Sequence, residues 1–145
     1  MGWPRHHGPD DLDRVLDTLP DGYVVRPVGD ARFVLGPTGA HVLALDDGGA
    51  DVPRAVGLLA SVIRSSLADQ VAWVPFVHAL LVTDRDEPCP PATCVPPGLV
   101  PSVLLEGPAL LRPEDLRRLV ASVQAGALDD LGAVAPSPRS TATHP

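Results

Sequence analysis

Two apolar runs, at residues 31–35 and 40–45, flank Gly36-Pro37-Thr38-Gly39, and this arrangement limits the folds open to the chain. Glycines that accept positive φ and a proline that presets its neighbour make the four residues a hairpin turn. Apolar side chains stand at nearly every position of both arms, not at alternate ones, so both faces of the ribbon need cover. A sheet sandwiched between helices provides that cover. A sheet with one solvated face does not.

The flanking sequence supplies the helices. Leu12, Val15, Leu16 and Leu19 form one stripe over 10–19, with Asp10, Asp11 and Asp13 complementing the positive helix start. Pro20-Asp21-Gly22 ends it, and a strand is expected over 23–28. The hairpin arms become strands over 31–36 and 40–46. Asp46-Asp47-Gly48-Gly49 closes the hairpin, and Asp51 is the expected N-cap of a helix over 51–68, opened by Val52 and Pro53. Residues 73–83 read as a fourth strand in a central position. Prolines 88, 90, 91, 96 and 97 make 84–97 a loop, and 102–106 is the expected fifth strand. A helix over 112–124 follows, with one more turn at 128–131. Residues 1–9 read as a flexible leader and 133–145, rich in Pro, Ser, Thr and Ala, as a disordered tail. The expectation is one α/β domain over 10–132, ordered α-β-β-β-α-β-β-α, with a mixed central sheet flanked by helices.

Composition narrows the function. The chain has no lysine: all eleven basic residues are arginine, so no side-chain amine exists for catalysis or Schiff-base formation. GC-rich coding accounts for this, because asparagine is missing too and Ile63 is the sole isoleucine. A net charge of −7 opposes non-specific attraction to phosphate, and Arg117-Arg118 is the only adjacent arginine pair. The N-terminus lacks the apolar core of a secretory signal, and no run reaches the ~20 apolar residues needed to cross a bilayer. The expected location is cytoplasmic, without membrane contact, with Cys89 and Cys94 as reduced thiols. Their C-x4-C spacing leaves open a local disulfide or half a metal site.

Several phrases together resemble the nuclease-related domain (NERD) family. They are the helix ending in Leu19-Pro20-Asp21-Gly22-Tyr23, the hairpin Val34-Leu35-Gly36-Pro37-Thr38-Gly39, and an alanine-rich helix with arginine. The strand from Val74 to Val82 and the phrase Leu111-Arg112-Pro113-Glu114-Asp115-Leu116 complete the likeness, which covers residues 10 to 124. It implies a restriction-endonuclease-like fold. It also implies a Mg²⁺ centre built from an acidic residue on the second strand and a Glu-x-Lys at the end of the third. Carboxylates hold the metal, and the lysine orients water and stabilises charge on phosphate. Here those positions fall on Ala31, Ala44 and Asp46, so the likeness implies the frame without its catalytic centre.

No catalytic residue is therefore assigned, and no cofactor is expected. Asp30, Asp46 and Asp47 are the carboxylates nearest the expected centre, and a displaced Mg²⁺ site on them is weighed against an ordinary solvated strand end. Arg32, His41 and His78 are read as paired or buried residues ahead of ligands. The proline-rich loop with Cys89, Thr93, Cys94 and Val95 is the expected contact surface for a protein partner, because prolines reduce the ordering cost of binding. The leading expectation is a non-catalytic NERD-like scaffold or protein-binding domain, a pseudonuclease, with a partner in DNA maintenance suggested by the fold analogy alone. Direct nucleic-acid binding is not expected. Two alternatives stay open: a metal-dependent nuclease with relocated carboxylates, and a redox-responsive regulator acting through Cys89 and Cys94.

Overall fold

The hairpin arms do form strands, and cover reaches them from both sides. The computed structural model describes residues 9–46, 51–69, 74–84 and 90–133. Its mixed sheet has five strands in the order β1-β2-β3-β4-β5. They are β1 (Val24–Val28), β2 (Ala31–Gly36), β3 (Gly39–Leu45), β4 (Val77–Val82) and β5 (Thr93–Val95). The helices are α1 (Pro9–Leu16), α2 (Val52–Ala68), α3 (Val100–Leu105) and α4 (Pro113–Gln124), with 3-10 turns at Pro97–Leu99 and Asp129–Ala133.

The first three strands pair antiparallel as a meander. Helix α2 then carries the chain across, so β4 lies parallel to β3, and β5 lies parallel to β4. Every residue of β2 is buried, as is every residue of β3 except Leu45. Strand alternation divides their side chains between two apolar clusters. Phe33, Leu35, Val42 and Ala44 pack with Val56, Leu59 and Ile63 of α2 and with Leu119 and Val123 of α4. On the other face Val34, Leu43, Leu80 and Val82 pack with Leu12 and Leu16 of α1 and with Val100 and Leu104 of α3. Each Val, Leu, Ile or Phe side chain among them contributes about 1.5–3 kcal/mol when fully buried. With only 3% aromatic residues, the layers are filled by many modest contributions and, among the described residues, one fully buried aromatic ring, Phe33.

The hairpin tip is fastened from several directions. Leu110 N and Leu111 N both donate to Pro37 O, at 2.8 and 3.1 Å. Thr38 Oγ1 donates to Leu104 O at 2.6 Å and lies 3.0 Å from Tyr23 Oη. Gly36 has to be glycine because the Tyr23 ring occupies the space a Cβ would fill. Gly39, at φ +128°, supplies the backbone reversal.

Four expectations require correction. The fifth strand is not at 102–106: residues 100–105 are helical, and the strand is Thr93–Val95, inside the segment expected to be loop. An apolar run of four residues has no period that separates helix from strand, and Pro101 in the first turn of α3 favours the helix. Helix α1 ends at Leu16, with Thr18 N and Leu19 N turning back to donate to Val15 O and Leu16 O, three residues earlier. Asp51 occupies the cap position of α2 without a side-chain capping bond. The strand expected over 73–83 is trimmed to Val77–Val82 and lies one place in from the sheet edge; Trp73 lies outside the described residues. The expected leader, apart from Pro9, and the tail from residue 134 also lie outside them. No helix of the described residues is long and apolar enough to cross a membrane.

Candidate functional site

The floor of the hairpin is the position at which the resemblance would put a metal centre. Ala31 starts β2, Ala44 stands near the end of β3, and the register that pairs Arg32 with Leu43 brings the two alanines together. They are 0% and 3% exposed and belong to the cluster beneath α2. Two methyl groups therefore close the floor with apolar surface. Asp46 follows β3, where its amide donates to Val82 O at 3.0 Å and its Oδ2 accepts a 2.8 Å hydrogen bond from the buried Thr83 hydroxyl. This carboxylate stitches the ends of β3 and β4 together. Asp30 sits half-buried in the turn before β2, and Asp47 lies outside the described residues. Among the described residues no group of three or more His, Cys, Asp or Glu side chains is placed to hold a metal ion.

Arg32 takes the paired role. It is buried, its Nε donates to Asp13 Oδ1 at 2.7 Å, its Nη2 donates to Asp13 Oδ2 at 3.2 Å, and Nη1 donates to Ala31 O at 2.9 Å. A guanidinium held by both oxygens of one carboxylate has little left with which to bind phosphate. Asp13 was legible only as a charge at a helix start; that it faces β2 follows from the packing of α1 on the sheet.

His41 and His78 are register partners on β3 and β4, and their rings stack at 5.3 Å between centroids. His41 is buried, and its pKa falls from 6.5 to about 4, mainly through desolvation and then through the charge of His78. It is therefore a neutral ring in the sheet at physiological pH. His78 is exposed and meets the edge of Phe76, itself 67% exposed, at 4.9 Å.

The proline-rich segment separates the residues grouped by sequence. Thr93 is exposed at the start of β5. Cys94, its neighbour, is half-buried, packs on the cluster beneath α2 and is disulfide-bonded, so the reduced thiol expected there is corrected. Cys89 lies outside the described residues. Val95 is 3% exposed and belongs to the core on the α1 side, so the expectation that the loop presents its side chain fails. Strand alternation turns Cys94 and Val95 into opposite layers. The exposed Arg117 and Arg118 line a shallow hollow on α4 together with Glu114, which divides that cationic surface.

No family model, curated protein or solved structure matches the chain.

Proposed function

We propose that this is a non-catalytic binding domain on a restriction-endonuclease-like frame, a NERD-like pseudonuclease retained for contact with another protein. The observation that carries the reading is the floor formed by Ala31 and Ala44: methyl groups in an apolar cluster stand where that chemistry needs metal-bound oxygens. Three further features support it. The order of a helix, a three-strand meander, a helix and two parallel strands supports the reading. Asp46 is engaged by Thr83, and Arg32 is neutralised by Asp13. A net charge of −7 opposes the approach of nucleic acid unless a basic face compensates.

The test is direct. Purified protein is incubated with single- and double-stranded DNA in Mg²⁺ or Mn²⁺ and compared with Asp46→Ala. No cleavage above buffer is expected from either. Metal-dependent cleavage that disappears in Asp46→Ala would overturn the reading in favour of a nuclease with relocated carboxylates.

A further inference from the structure

Strand β5 is shorter than the strand it pairs with, and the shortfall leaves a groove. β4 begins at Val77, but its ladder with β5 begins only at Leu80, opposite Thr93. Thr83 N donates toward β5, to Val95 O, whereas Val82 O accepts from Asp46 N on the β3 side. Successive strand residues direct their backbone groups to opposite edges. Val77 and the amide of Ala79 therefore share the orientation of Thr83 toward the edge ahead of β5, whereas the Ala79 carbonyl lies opposite the Thr93 amide. Among the described residues the ladder on that edge begins at Thr93. Pro91, which has no N–H to offer, packs on α2 instead, with its ring 2.5 Å from where a Cβ of Gly57 would lie.

A cavity of about 220 Å³ results, between the β4 edge and α2. Pro91 and the exposed Phe76 give it apolar walls; Ser61, Arg64 and Thr93 give it a polar rim. Arg64 is exposed, and among the described residues no carboxylate pairs with it. In a chain of net charge −7, a cation with no counter-ion among the described residues, beside a strand edge that no described residue pairs, is complementary to a carboxylate arriving on another chain. From Gly57 to Arg64, α2 runs about 10 Å at 1.5 Å per residue, the length of about three extended residues at 3.3 Å each.

We propose that this groove takes an extended acidic peptide segment of a partner protein as an added strand on β4. The backbone of Val77 and the amide of Ala79 bond the incoming strand, an apolar side chain rests against Phe76 and Pro91, and a carboxylate pairs with Arg64. The proposal rests on the reading of the domain as a binding module and gives that module a surface and a ligand chemistry. It keeps Thr93 in the contact and moves the contact away from Val95.

The test uses the full chain as bait for a displayed library of random decapeptides, followed by fluorescence polarisation with the best peptide. Enriched peptides are expected to share one Asp or Glu among alternating apolar residues. Arg64→Glu and Ser61→Trp, both at exposed helix positions, should each raise Kd at least tenfold with unchanged melting temperature, while Arg118→Glu on α4 should leave Kd unchanged. Hydrogen exchange should slow at the amides of residues 77 and 79 when peptide is bound. Enrichment of peptides without an acid, no enrichment at all, or a Kd indifferent to Arg64→Glu overturns the proposal. A concentration-dependent dimer abolished by Arg64→Glu overturns it as well, by placing a second copy in the groove. DNA cleavage is read separately: cleavage removes the pseudonuclease reading whatever the peptides do, and failed selection without cleavage removes the groove alone.

Discussion

Arg32 on β2 and Asp13 on α1 meet at 2.7 Å between Nε and Oδ1, an ion pair with its cation buried and its anion half in solvent. Removing the anion is expected to be worse than removing both groups, because it leaves an unpaired guanidinium in the core. Asp13→Ala should cost about 1–3 kcal/mol in urea unfolding, a range kept low because Asp13 is partly solvated. The pair Asp13→Ala with Arg32→Leu should recover much of that loss. Equal or greater loss in the double variant would show that the pair itself stabilises the fold.

His41 gives the domain an acid sensitivity whose sign is fixed. Its folded pKa, about 4, lies below the 6.5 of an unfolded histidine. The unfolded chain therefore binds the extra proton, and the stability associated with the neutral ring is present above pH 6.5 and is lost as pH falls toward 4. The expected loss across that window is on the order of 3 kcal/mol, at 1.36 kcal/mol per pKa unit. His41→Leu should flatten the melting temperature across that range, and a slope identical to wild type would show that other groups carry the acid dependence.

Val95→Asp is expected to unfold the domain or to lower its stability by about 3–5 kcal/mol, since it buries a carboxylate among Leu80, Val82 and Leu104. Thr93→Asp, two residues earlier on the same strand but exposed, should leave the melting temperature within about 2 °C of wild type. Thermal unfolding of the two variants side by side distinguishes them.

Gly36→Ala is expected to cost about 2 kcal/mol, because the new methyl group displaces the Tyr23 ring from the hairpin. Tyr23→Ala alone should lose packing, and adding it to Gly36→Ala should cost less than the sum of the two changes. Strict additivity in a double-mutant cycle would show that the ring and the glycine do not interact.

The elements that sequence reading located best are those with punctuation at both ends. The hairpin has its Gly-Pro-Thr-Gly turn, α2 has Pro53 and a long apolar stripe, and α4 has Pro113 with acidic residues in its first turn. Strand β5 was hidden because three residues between proline pairs carry no readable period, while Val100–Leu105 offered a more convincing apolar run and proved helical. At the candidate site, the absence of a metal-ligating side chain at Ala31 and Ala44 was visible from residue identity alone. The groove was not visible. It exists because β5 stops short of β4 and Pro91 leans on Gly57, and neither relation is written in a local pattern. Arg64 drew no notice because an arginine on the outer side of a helix is ordinary until its neighbours across space are known.

Strand order in this sheet repeats chain order, with every strand beside its predecessor. A growing polypeptide can therefore add each strand to an edge that already exists, without inserting one between two settled neighbours. Only the step from β3 to β4 spans a long connection, and α2 fills it with a helix able to form locally. Contacts of modest sequence separation favour fast folding, so the meander and the first crossover form a frame that can assemble from the amino-terminal side onward. The last and shortest strand, β5, adds to an edge that this frame already provides.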